Sequence, residues 1–148
     1  MQDRSHTQEE LDKLNQCRRY LVSNGVFDSD SFESNYKELT EAFRKYYPKF
    51  NIAYSYKTNY TPKLVQIVDR LGGYAEVVSD MEYEIALRAG VRSEKIIWNG
   101  PVKNDQKVKE LLLTGGTVNI DSIYEIDNIR NIAENYPNHT LNVGVRIN

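Results

Sequence analysis

The sequence predicts an α/β protein whose strands run parallel and whose helices lie outside them. Three observations predict it. Short segments rich in Val, Ile and Tyr (NIAYSY, YAEVVS, KIIWN, TVNID and LNVGVRI) recur from residue 51 onward, as strands do. Helix-period stretches separate them, namely PKLVQIVDRLG, MEYEIALRAG, DQKVKELLLTG and IYEIDNIRNIAEN. The strand-to-strand repeat is roughly 20 to 25 residues, the length of one βα unit, and that alternation makes parallel strands.

The elements follow in order. TQEELDKLNQCRRYLV sets Leu11, Leu14, Cys17 and Leu21 at helical spacing, behind Thr7 as N-cap with Glu10 three residues on. Residues 1–25 are therefore expected to form an N-terminal helical segment. Ser23, Asn24 and Gly25 break the pattern. A second helix is expected from about Asp30, with Glu33 completing a capping box. It carries Phe32, Tyr36, Leu39 and Phe43 on one face until Pro48 stops it. Among the later helices, three end at Gly72, Gly90 and Gly115, the usual residue just past a helix. Thr61-Pro62 reads as an N-cap with Pro in the first turn. Ser79 with Glu82, and Ser122 with Glu125, read as capping boxes.

Two architectures satisfy this pattern, an open doubly wound sheet and a (β/α) barrel. No G-x-G-x-x-G follows a strand and no G-x-x-x-x-G-K-[ST] occurs, so the nucleotide-binding open sheets find no support. The helices are uniform in length, as barrel helices tend to be. A whole barrel needs eight units and about 250 residues, against five strand segments in 148 residues. The expectation is a partial (β/α)8 TIM barrel over residues 26–148, preceded by N-terminal helices and forming a segment of something longer.

Composition narrows the function. The net charge of −2 offers no basic field for nucleic acid. No run approaches the ~20 apolar residues of a membrane helix, and the polar start lacks a secretory signal's apolar stretch. One cysteine excludes an internal disulfide, and two histidines, His6 and His139, leave little for a histidine-rich metal site or a Ser-His-Asp triad. A cytoplasmic setting and no metal are expected.

In parallel α/β proteins chemistry collects at the carboxyl ends of the strands. Those ends carry Lys57, Thr58 and Asn59, then Glu76 and Ser79, Asn99, Asp121 and Ser122, and Arg146. A lysine at a barrel mouth can be partly desolvated, which frees its amine to condense with a carbonyl. A carboxylate and a guanidinium nearby would set its protonation and hold an anionic ligand. Plainer accounts exist for each. Lys57 can be a solvated strand-end lysine, the Ser/Glu pairs are explained by capping, and Asn99-Gly100-Pro101 is a turn by composition. Glu76 and Arg146 can be an ordinary ion pair.

These strand ends also resemble a known family. IAYSYKTN resembles the tyrosine-x-x-lysine-x-asparagine signature of the fold-type III pyridoxal-phosphate enzymes, in particular the diaminopimelate/ornithine decarboxylase family. LGGYAEVVSDMEYEIALRAGV, KIIWNGPVK, TVNIDSIYEIDNI and LNVGVRIN resemble its following elements in order. The resemblance implies that Lys57 forms the Schiff base with pyridoxal 5'-phosphate and later shuttles protons. It implies Glu76 beside that lysine, in place of the family's usual aspartate. Glu82 and Ser79 would line the same site, and Arg146 would meet the cofactor or the acidic residue. The activity implied is decarboxylation of a basic or diamino amino acid of the diaminopimelate, ornithine or lysine type, in a homodimer. The family's stacking histidine, glycine-rich phosphate loop, pyridine-nitrogen acid and C-terminal β domain come later in its chains. This segment alone is therefore expected to be inactive. Other readings keep Lys57: an amino-acid racemase of the same fold, and a non-catalytic pyridoxal-phosphate protein of cofactor homeostasis. A structural α/β domain without cofactor is the remaining one.

Overall fold

The computed structural model describes residues 27–147. The expected helix over residues 7–22, with its Thr7 cap, and His6 lie outside the described residues. A first helix, α1 (Ser29–Arg44), is followed by β1 (Ala53–Ser55), α2 (Pro62–Arg70), β2 (Tyr74–Val77), α3 (Asp80–Arg88), β3 (Ile96–Trp98), α4 (Asp105–Leu113), β4 (Thr117–Ile120), α5 (Ile123–Asn135) and β5 (Asn142–Val145). The chain divides into two compact units, residues 1–36 and 37–148.

Helix α1 begins before Asp30 because Asp28 is the residue that caps it. Its carboxylate accepts from the backbone N–H of Asp30 at 3.1 Å and of Ser31 at 3.0 Å, and from the Ser31 hydroxyl at 2.7 Å. Those donors hold the Asp28 carboxyl below its ordinary range. The expected Asp30–Glu33 box is thus replaced by an aspartate two residues upstream.

The five strands are all parallel and lie in the order β1-β2-β3-β4-β5. A doubly wound sheet reverses its strand order at a switch point. Here each strand pairs with the next in sequence, which is how a (β/α) barrel wall is laid down. The fold is therefore a five-strand portion of a barrel.

One face of the sheet packs on the helices. Ala75, Val77, Ile96, Trp98 and Val118 from the strands meet Val65, Tyr83, Ala86, Val108, Leu111, Leu112 and Ile132 from α2 to α5 in one buried cluster. Tyr83 stacks on Trp98 with ring centroids 4.7 Å apart. Because side chains alternate along a strand, the opposite, inner face carries Ser55, Glu76, Ile97, Thr117, Asn119 and Gly144. The pairings Ser55 with Glu76, Glu76 with Ile97, Ile97 with Thr117 and Asn119 with Gly144 hold these in register.

Gly72, Gly90 and Gly115 sit just past α2, α3 and α4 at φ of 87°, 89° and 91°, as their positions in the sequence predict. Ser122 and Glu125 form the predicted capping box of α5. The other two caps differ in detail. Thr61 precedes Pro62 but makes no capping bond, because its hydroxyl donates to Asn59 Oδ1 at 2.7 Å. Ser79 Oγ accepts from the Glu82 N–H at 3.3 Å, while Glu82 reaches past it to accept from Val78 N–H at 2.9 Å. Among the described residues no helix is long and apolar enough to cross a membrane.

Candidate active site at the carboxyl ends of the strands

Lys57 lies two residues beyond β1 rather than on it. The backbone N–H of Tyr56 still donates to Glu76 O at 2.9 Å, but the chain then turns. Thr58 closes the turn onto Ser55 O, through its N–H at 3.2 Å and its hydroxyl at 2.7 Å. Tyr56 is fully buried beneath, 1% exposed, and anchors the turn to the core. Lys57 itself is exposed, so the partial desolvation foreseen for it is absent within these residues.

On the inner face, in register with Ser55, the Glu76 side chain is half-buried at the end of β2. Its Oε1 accepts from Asn99 Nδ2 at 2.8 Å, and Asn99 Oδ1 accepts in turn from Asn119 Nδ2 at 2.5 Å. Strand ends β2, β3 and β4 are thereby joined by one row of side chains. The Asn99 turn was expected from composition, whereas Asn119 was not singled out. Its signal was a lone amide inside the apolar run TVNI, at the same pleat parity as Asp121.

Arg146 follows β5 and reaches back to Asp121, with Nη1 3.4 Å from Oδ1. The ion pair with Glu76 that the sequence left open is not the one formed. Strands β2 and β5 lie three spacings apart, about 14 Å, whereas Asp121 directly follows β4, the strand adjacent to β5. Ser79 and Glu82 sit at the start of α3, on the same rim, and both are engaged in its cap. Glu82 is only 5% exposed.

Among the described residues, two buried polar atoms on this side of the sheet lack a partner, Ser55 Oγ and Asp121 Oδ2. Ser55 lies in register beside Glu76, and Asp121 beside Arg146. Buried oxygens are normally hydrogen-bonded, so each is left to be met by water or by a bound molecule.

A further pair supports the rim from behind. Lys103 Nζ lies 2.5 Å from Glu125 Oε1, with the two side chains 2% and 8% exposed, and it also donates to Gly100 O. Glu125 Oε2 accepts from the N–H groups of Asp121 at 2.8 Å and Ser122 at 2.9 Å. Burial alone would raise the Glu125 carboxyl, but Lys103 and these N–H donors outweigh it and hold it below its ordinary range. Sequence reasoning found the box, and the lysine only within the resembling stretch KIIWNGPVK; it did not find that the two pair across 22 residues. Gly100 (φ 98°) is buried against the Val78 carbonyl, 2.6 Å from where a Cβ would stand.

Comparison with known proteins shows the family and agrees with the fold. Residues 33–148 match the family described as pyridoxal-dependent decarboxylase, pyridoxal binding domain. A diaminopimelate decarboxylase of Aquifex aeolicus is 34% identical over 108 residues, covering 69% of this chain and 25% of that protein. One from Methanocaldococcus jannaschii is 33% identical over 132 residues, covering 83% of this chain and 29% of the relative. The crystal structure of the M. jannaschii diaminopimelate decarboxylase in co-complex with L-lysine superimposes with a TM-score of 0.66 at 31% identity. It covers 78% of this chain and 27% of that one. The chain thus spans between a quarter and three tenths of the length of these proteins.

Proposed function

This chain belongs to the pyridoxal-dependent decarboxylases through their pyridoxal-binding domain, and from that premise we propose that Lys57 is the residue to which the cofactor is attached. The enzyme so formed acts on a basic or diamino amino acid, in keeping with relatives named diaminopimelate decarboxylase and lysine/ornithine decarboxylase. The single observation that supports the reading is that an exposed lysine just past β1 is followed, on the adjacent strand, by a carboxylate held by Asn99.

The residues present fit pyridoxal phosphate on chemical grounds. An exposed amine with no partner among the described residues can condense with an aldehyde, and Ser55 Oγ, two residues earlier and likewise without a partner among them, offers a hydrogen bond to a bound molecule. When bound, pyridoxal phosphate supplies an electron sink that stabilises the carbanion left by loss of a carboxylate. Lys57 supplies the attachment point, gives way to the substrate's amine, and is then placed to return a proton to the product. Glu76 presents a fixed negative charge that favours positive charge developing beside it. Arg146 offers a guanidinium for an anionic group, with Asp121 fixing its direction. Ser79 and Glu82 lie on the same rim, where Ser79's O–H remains able to donate. Residues 26–148 form the pyridoxal-binding barrel portion in this reading, with residues 1–25 a separate helical segment. The enzyme works as a cytoplasmic homodimer.

Addition of pyridoxal phosphate to the chain is expected to raise a visible imine absorbance band. That band is expected to disappear in Lys57→Ala with the far-ultraviolet circular dichroism unchanged. A band of the same strength in Lys57→Ala contradicts the proposal.

A further inference from the structure

We infer that Asn99 and Asn119 are positioning residues for Glu76, acting as a two-amide ladder that sets which carboxylate oxygen faces the Lys57 side of the rim. The inference rests on the reading of Glu76 as a site residue. The direction of every bond in the ladder is dictated by chemistry. An ionised carboxylate only accepts, so Asn99 must turn its Nδ2 toward Glu76 Oε1, 2.8 Å away. That leaves Asn99 Oδ1 to accept, and Asn119 meets it with its own Nδ2 at 2.5 Å. The donors therefore all point toward β2 and end on an anion. Such a series polarises along its length, and its last bond is charge-assisted.

The space for the ladder is built into the next strand. Gly144 pairs with Asn119 across β4 and β5, and a Cβ at residue 144 would collide with Asn119 Oδ1. Gly144 has no positive φ to explain it. Its small size lets the Asn119 amide lie flat across the sheet and reach Asn99. Four consecutive strand ends thus contribute one group each: a carboxylate, two amides and a gap.

The ladder takes up one oxygen of Glu76 and leaves Oε2 with no hydrogen bond among the described residues. A glutamate is longer by one methylene than an aspartate and has one more free torsion. Pinning Oε1 from the β3 side removes that freedom and fixes the other oxygen toward the β1 side, where Ser55 and Lys57 lie. Asn119 never touches Glu76, so whatever it does to the carboxylate passes through Asn99.

Two measurements on the chain test this. The first needs no cofactor: the side-chain amide resonances of Asn99 and Asn119 are followed by NMR in Glu76→Gln. Both pairs are expected to shift, that of Asn119 by relay. The second is the rate of reductive labelling of Lys57 by pyridoxal phosphate. Asn99→Ala is expected to slow it about tenfold, the worth of one charge-assisted hydrogen bond. Asn119→Ala and Gly144→Ala are expected to slow it less, and the Asn99/Asn119 double variant no more than Asn99→Ala. Unmoved Asn119 resonances in Glu76→Gln, losses that add in the double variant, or unchanged labelling rates overturn the inference. Failure of the parent reading is a separate result, in which unsubstituted chain takes no label at Lys57. The amide shifts then still decide whether the ladder holds the carboxylate. Should Asn99→Ala fail to fold, Gly144→Ala carries the rate test, since its backbone suits any residue.

Discussion

Glu125 is a buried carboxylate surrounded by donors, and its position makes the stability of the fold depend on pH. Its folded-state carboxyl is held below the ordinary value of 4.5. A group depressed on folding contributes stability that is complete above its ordinary value and is lost as pH falls through the folded one. The thermal midpoint is therefore expected to hold near neutral pH and fall below about pH 4.5. In Glu125→Gln it is expected to start lower and to fall less over the same acid range. Lys103→Met tests the other partner and leaves Glu125 only its N–H donors. Breaking a buried pair in this way is expected to cost about 3 kcal/mol in urea unfolding. Ser122 and Glu125 were legible as a capping box because capping is local, within three residues. Lys103 was not, since nothing within a few residues of it says that a buried carboxylate waits across the β3–α4 loop.

At the scale of elements, glycines of similar φ are expected to differ in what they tolerate. Gly72 lies at φ 87° with nothing within 4 Å of a Cβ, whereas Gly100 lies at φ 98° with Val78 O 2.6 Å from one. Gly72→Ala is expected to cost only the left-handed conformation, about 1 kcal/mol. Gly100→Ala adds a collision with backbone and is expected to cost at least twice as much by chemical denaturation. Caps divide in the same way. Asn104 Oδ1 accepts from the N–H groups of Gln106 and Lys107, both at 3.1 Å, so Asn104→Ala is expected to lower stability by about 1 kcal/mol. Thr61→Ala is expected to be near neutral for α2, because the Thr61 hydroxyl is turned to Asn59. Helix type and approximate ends were readable from periodicity, glycine and capping residues. The identity of some caps was not, since Asp28 takes first-turn N–H groups from upstream and Asn59 draws off the Thr61 hydroxyl, and only geometry decides.

At the scale of the molecule, the alternation of strand and helix at a βα repeat was enough to predict parallel strands, and the strand order follows it without a crossing. Which residues share the inner face needed the register. Lys57, Glu76, Asn99, Asp121 and Arg146 could each be named from strand ends, but which of them pair, Glu76 with Asn99 and Arg146 with Asp121, and the part of Asn119, depend on contacts between strands 20 or more residues apart. The register also predicts how the sheet opens. Strand β3 is flanked on both sides and its Ile96 and Trp98 are wholly buried, whereas Val143 and Val145 of β5 are 39% and 71% exposed. Amide hydrogen exchange is therefore expected to be slowest in β3 and fastest in β5; equal protection of the two contradicts this layering. The central claim, that Lys57 carries the cofactor, is tested most directly by borohydride reduction of the chain with pyridoxal phosphate, followed by peptide mapping. The account predicts one dominant modified peptide, containing Lys57, and label concentrated on any other lysine contradicts it.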